Sequence, residues 1–124
     1  MKNLVYVFLG GGFGASLRYW LSGLIPRWVG TDFPYGILSI NVIGCFFIGF
    51  LMTAFEERFQ INASLRVFLT VGILGGFTTF STFSYETIAM MRDGELIKAS
   101  LYIFLSIALC LGGTHIGSLV GELI

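Results

Sequence analysis

Apolar residues run along this chain in four long blocks separated by short polar breaks. The blocks cover about Leu4–Ile25, Tyr35–Phe55, Leu65–Met91 and Ala99–Val120. Each reaches the ~20 apolar residues that a helix needs to cross a bilayer. Pro26, Gly30, Asp32 and Pro34 form the first break. Little lies outside the blocks, so the pattern predicts one all-α integral-membrane domain over residues 1–124, with four transmembrane helices. The first block exceeds the apolar region of a signal peptide, carries Arg18 and lacks an A-x-A cleavage pattern, so it reads as a retained helix.

The third block departs from plain aliphatic filling. Gly72-Ile-Leu-Gly-Gly-Phe-Thr-Thr-Phe-Ser-Thr-Phe-Ser84 places glycines and hydroxyls at membrane depth. A straight helix of that length would extend ~40 Å, beyond a ~30 Å hydrocarbon core. Gly72, Gly75 and Gly76 predict a break in it, because glycine disfavours helix interiors by ~1 kcal/mol relative to alanine. Backbone that leaves the helix inside a membrane is tolerated only where protein, water or an ion satisfies it. Carbonyls around Gly75 and Thr78 therefore become candidate cation ligands. Phe80 and Phe83, three apart, present aromatic edges beside the break.

Other polar positions are sparse. Asn41 is the one amide near the middle of a block, suited either to joining helices or to donating to an anion. Arg18 either reaches back to the interface or faces a vestibule. Glu86 stands past the phenylalanines, at a vestibule or a solvated helix end. Tyr102, Ser106 and Cys110 recur every four residues along the fourth block, and membrane-helix hydroxyls commonly bond their own backbone. Gly10 and Gly14, like Gly113, Gly117 and Gly121, have the spacing that lets helices pack closely.

Composition and charge narrow the function. The chain is 56% hydrophobic and only 11% charged, too apolar to cover a globular surface. Seven basic and seven acidic residues leave no polybasic patch for nucleic acid. The glycines near Gly10 follow no strand and precede no P-loop lysine, which argues against nucleotide binding. A single His115 and two dispersed cysteines have no metal-type spacing, and no nucleophile–base pair marks an enzyme. Flanking basic residues balance: Lys2, Arg58 and Arg66 on one side, Arg27, Arg92 and Lys98 on the other. With no positive-inside bias, the chain is expected to insert both ways and pair as an antiparallel homodimer, a two-chain inverted repeat.

Gly11-Gly-Phe-Gly-Ala-Ser-Leu-Arg-Tyr19, Ser39-Ile-Asn41-Val-Ile-Gly44 and Gly75-Gly-Phe-Thr-Thr-Phe-Ser-Thr-Phe83 together resemble the Fluc (CrcB-type) fluoride channels. The resemblance covers essentially the whole chain, and the third motif is the most specific. It implies a dual-topology homodimer in the bacterial inner membrane, with two narrow pores that passively export fluoride and relieve its toxicity. It also implies a central structural sodium held by the carbonyls of Gly75 and Thr78 from both chains. By position, Phe80 and Phe83 match the aromatic box and Asn41 the fluoride-facing amide. Ser81 and Thr82 match the neighbouring hydroxyls, while Tyr102 and Ser106 join the polar track. Cys110 departs from the small hydroxyl expected there, and a thiol is a weaker donor.

Two other classes weigh less. A small proton-coupled exporter requires a membrane-buried carboxylate, and the first block contains none. A non-transporting assembly subunit leaves the Asn41, Thr78 and Phe80 cluster without a purpose.

Overall fold

A computed structural model describes all residues, Met1–Ile124. Every regular element is helical: α1 (Lys2–Val29), α2 (Tyr35–Glu57), α3 (Ala63–Val67), a π-helical stretch (Phe68–Leu74), α4 (Gly75–Phe77), α5 (Phe80–Arg92) and α6 (Leu96–Leu123). Three segments are long and apolar enough to cross a membrane: Tyr35–Glu57, Ala63–Arg92 and Leu96–Leu123. The 28-residue α1 has the length, but its glycines, Arg18 and Arg27 dilute its apolar character. Pro26 lies in the last turns of α1 rather than in the loop the sequence predicts. Gly30, at φ 91°, ends that helix, its N–H bonded to the Pro26 carbonyl at 2.9 Å.

Polar contacts at the helix ends fix direction. Ser64 Oγ donates to Asn3 Oδ1 at 3.0 Å, Arg66 pairs with Glu56 at 3.7 Å, and Arg58 donates to the Glu122 carbonyl at 2.8 Å. Both termini therefore sit at one end of the bundle. At the other end, Lys98 Nζ donates to the Asp32 carbonyl at 3.1 Å. The helices form two parallel pairs, α1 with the broken third segment and α2 with α6.

Glycine explains both pairings. A Cβ at Gly10 would stand 2.7 Å from the Phe68 carbonyl oxygen, and one at Gly76 would stand 2.5 Å from that of Gly11. In the second pair, Gly113 meets Val42, Gly117 meets Phe46 and Gly49 meets Thr114, each against a carbonyl. Within lipid the hydrophobic effect does not drive helices together, so such backbone approach carries the association.

Buried side chains are few. Ile37, Ile40 and Phe77 form the central cluster, with Leu17, Leu21, Ile25 and Phe83 packed on it. Only 17 of 124 residues are buried, while Phe8, Phe80, Phe104 and many other large apolar side chains face outward. That surface needs lipid or protein around it.

The third segment is broken, but not at its glycines. Gly75 has helical φ −63° and ψ −38°, and the helix persists through Phe77. Extended backbone occurs at Thr78 (φ −84°, ψ 155°) and Thr79 (φ −150°, ψ 120°). This corrects the expectation of a break at Gly75–Gly76. Gly76 serves contact with α1, and the chain restarts where Thr79 supplies an N-cap, its hydroxyl accepting the Thr82 N–H at 3.2 Å. The π-helical stretch just before the break has no compositional signal and was not predicted.

Candidate functional site

The break is held open from α2. Asn41 Nδ2 donates to the Thr79 carbonyl at 3.0 Å, and its Oδ1 accepts the Thr79 N–H at 2.9 Å. One amide thus replaces a stretch of helical ladder with a two-point clamp on a single residue. Asn41 retains one further amide N–H for another acceptor.

The clamp changes what the neighbouring carbonyls meet. In a continuous helix the Thr79 N–H would bond to Gly75 and the Thr82 N–H to Thr78. Here Thr79 turns to Asn41, and Thr82 turns to the Thr79 hydroxyl. Gly75 and Thr78, the two candidate cation ligands, therefore lose their usual donors. Gly76 is served differently, because Arg18 Nε donates to its carbonyl at 3.1 Å. The sequence offered Arg18 an interface or a vestibule; in the fold its Nε bridges α1 to the break.

A groove of about 470 Å³ opens beside this point. Asn41, Gly44, Cys45 and Ile48 line it from α2; Thr70, Leu74, Gly75, Thr78, Thr79, Phe80 and Phe83 line it from the third segment. Ser106, Ile107, Cys110 and Leu111 complete it from α6. None of these residues is an aspartate, glutamate, lysine or arginine. Phe80 and Phe83 have ring centroids 5.3 Å apart, tilted by 52°. Phe80 is 77% exposed, so the groove is open on that side. Ser106 Oγ is buried and has no hydrogen-bond partner. Other hydroxyls do bond their own helix, as Thr70 to Arg66, Thr87 to Phe83 and Thr114 to Cys110. Ser106 therefore departs from the usual behaviour of membrane-helix hydroxyls.

Not every expected residue lies in this groove. Thr82 and Glu86 line a second cavity of about 490 Å³, with Ser22, Pro26, Asp32 and Tyr85 among its other walls. Tyr102 is fully buried, and its hydroxyl donates to Glu86 Oε1 at 2.7 Å. Its ring lies 5.0 Å from that of Phe83, so the Phe83–Tyr102 pair stands between groove and cavity. Ser81 is exposed, within 3.2 Å of the Thr79 hydroxyl. Thr79 itself was missed in the sequence. Its N-cap position, three residues before Thr82, was the available signal, whereas its pairing with Asn41 had none.

Comparison with known proteins fits this arrangement to a family. The profile of the family described as "CrcB-like protein, Camphor Resistance (CrcB)" matches residues 5–118. The chain belongs to the CrcB family. CrcB relatives similar to it include a protein of Geobacter sp. strain M21, 45% identical over 98% of both chains. Another, from Geobacter sulfurreducens, is 46% identical over 94% of both. A third, from Methylococcus capsulatus, is 45% identical over 97% of this chain, which spans 53% of that longer protein. All three are called "Fluoride-specific ion channel FluC". The family is one of channels, not enzymes, and the resemblance carried by the three sequence motifs holds along the whole chain.

Proposed function

We propose that this protein is a passive fluoride-selective channel that exports fluoride across the bacterial inner membrane and relieves its toxicity. The observation that carries the reading is the uncharged groove at the helix break, lined by the Phe80 and Phe83 rings and the unpartnered Ser106 hydroxyl. Aromatic rings have a positive edge, so tilted phenylalanines receive a small anion without a formal charge. The free N–H of Asn41 and the Ser106 hydroxyl supply neutral donors. Conduction needs sites weak enough to leave, and a lysine or arginine here would bind fluoride too firmly. The second cavity, with Thr82 and Glu86, is the vestibule, and an anion would pass from it by Phe83 and Tyr102 into the groove.

In this reading α1 is the fourth membrane span. It runs the full height of the bundle, and Arg18 is satisfied by the Gly76 carbonyl instead of lying free in hydrocarbon. Two chains assemble antiparallel, in keeping with the balanced flanking charges and the exposed apolar faces. The breaks would then meet on the two-fold axis, and the Gly75 and Thr78 carbonyls of both chains would hold a sodium ion there. Hard oxygen donors without a carboxylate suit a monovalent hard cation. The ion would supply a fixed positive charge between the anion paths.

The test is anion efflux from proteoliposomes loaded with fluoride or with chloride. Fluoride should leave rapidly, chloride should be retained, and no proton gradient should be required. Equal efflux of both anions, or dependence on a proton gradient, would refute the reading.

A further inference from the structure

Two groove residues have no role in the reading above. Cys45 of α2 and Cys110 of α6 are free thiols, each partly exposed, and both line the groove. The register of the two helices brings them together. Gly49 sits against the Thr114 carbonyl in a parallel pairing. One turn back along each helix lie Cys45 and Cys110. The glycine contacts hold the two backbones close, and both cysteines line the same groove at this level.

We propose that Cys45 and Cys110 form a dithiol site for a soft divalent metal ion of the mercuric type, which bridges α2 and α6 and obstructs the groove. Donor chemistry selects the ion. Thiolates favour soft metals, and no group of three or more histidine, cysteine or acidic side chains is assembled anywhere in the chain. Zinc takes four ligands in structural sites and is poorly served by two sulfurs. An ion that accepts linear two-coordination is satisfied by this pair alone. Charge makes the second selection. A divalent ion with two thiolates is neutral, whereas silver or cuprous ion would leave a net negative charge at membrane depth, where charge is disfavoured. Mercuric chloride supplies the ion: two metal–sulfur bonds form, two metal–chlorine bonds break, and both thiol protons leave as acid. No electrons are transferred. The neutral reagent also crosses lipid, so access does not depend on conduction.

Binding is independent of the transport reading; only its effect on flux rests on it. The full chain, reduced and freed of reductant, would be titrated with mercuric chloride and followed by intact mass and by sulfur-to-mercury charge-transfer absorption. One mercury per chain, with both thiols lost to a thiol reagent, is expected. Because the second sulfur binds intramolecularly, the wild type should resist stripping by ~1 mM glutathione at least ~10²-fold longer than Cys45→Ser or Cys110→Ser. Two mercury ions per chain, one thiol still free, or stripping as fast as in the single variants would overturn the bridge. In proteoliposomes, mercury-loaded protein should pass fluoride at least ~10-fold more slowly, with recovery on adding dithiothreitol; the scale is set by placing an ion across a path that needs weak, vacatable sites. Unchanged flux from protein shown to be loaded would overturn obstruction of the groove. Absence of fluoride efflux before loading would instead refute the transport reading, and stoichiometry would still decide the site.

Discussion

Replacing Asn41 with alanine removes both ends of the Thr79 clamp, and the structure indicates how the loss divides. The Thr79 carbonyl belongs to an N-cap residue and can accept the first intrahelical bond of α5, from the Phe83 N–H, so losing Asn41 Nδ2 costs little. The Thr79 N–H has no such alternative while the backbone stays extended. Leaving a buried donor unmade costs ~1–3 kcal/mol, and membrane-embedded hydrogen bonds average nearer ~0.6 kcal/mol because the unfolded chain finds partners as well. We therefore expect Asn41→Ala to destabilise the fold by ~1–3 kcal/mol. The cheapest repair is for Thr79 to swing back toward the Gly75 carbonyl, which would remove that oxygen from the proposed sodium site. Stability in graded denaturing detergent, amide exchange at Thr79 and fluoride efflux would be measured together. Asn41→Asp is the control, since it keeps an acceptor for the Thr79 N–H but places an anion in the groove. It should preserve protection of that amide while suppressing fluoride flux. Unchanged Thr79 exchange in Asn41→Ala, with a stability loss under ~0.5 kcal/mol, would refute the clamp.

Other substitutions separate packing from conduction. Ser106→Ala removes a buried hydroxyl that has no partner, so stability should hold or rise by up to ~1 kcal/mol while fluoride efflux falls; a stability loss above that would mean the hydroxyl is bonded. Gly76→Ala forces a methyl against the Gly11 carbonyl and should cost ~1–3 kcal/mol in detergent unfolding, whereas Gly12→Ala meets open space and should be neutral. Equal effects at the two positions would contradict the α1 contact. Exhaustive replacement of sodium by a large organic cation should lower fluoride flux, with recovery on readdition; undiminished flux would remove the ion's functional role.

Much of the architecture can be read from apolar run length. The second and fourth helices begin and end within three residues of the expected positions, because uninterrupted apolar composition leaves little freedom. The existence of a break was legible from excess length and glycine content, but its location was not. Glycine penalises an isolated helix, yet at Gly76 the absent side chain admits the α1 backbone and the helix survives. The break instead follows from Asn41, 38 residues away in sequence, a pairing no local propensity encodes. Phe80, Phe83, Asn41 and Ser106 line one groove. Thr82 and Glu86 of α5 face the other cavity, and Tyr102 of α6 is buried beside Phe83 with its hydroxyl on Glu86.

The two parallel helix pairs also set an order of events during synthesis. The close glycine contacts of α6 are all with α2, and those of α1 are all with the third segment. At translation rates of ~5–20 residues per second, the ~40 residues between α2 and α6 take several seconds to appear. Neither pairing is between neighbours in sequence, so α1 waits for the third segment, and α2, although its Gly36 already meets α1 at Ser22, waits for the glycine face of α6. A chain that ended after Arg92 and had left the ribosome would hold its first pair complete and α2 still without the glycine face of α6. Such an intermediate is a natural substrate for membrane insertases and quality-control proteases, which makes the arrival of α6 the step that commits the chain to its fold.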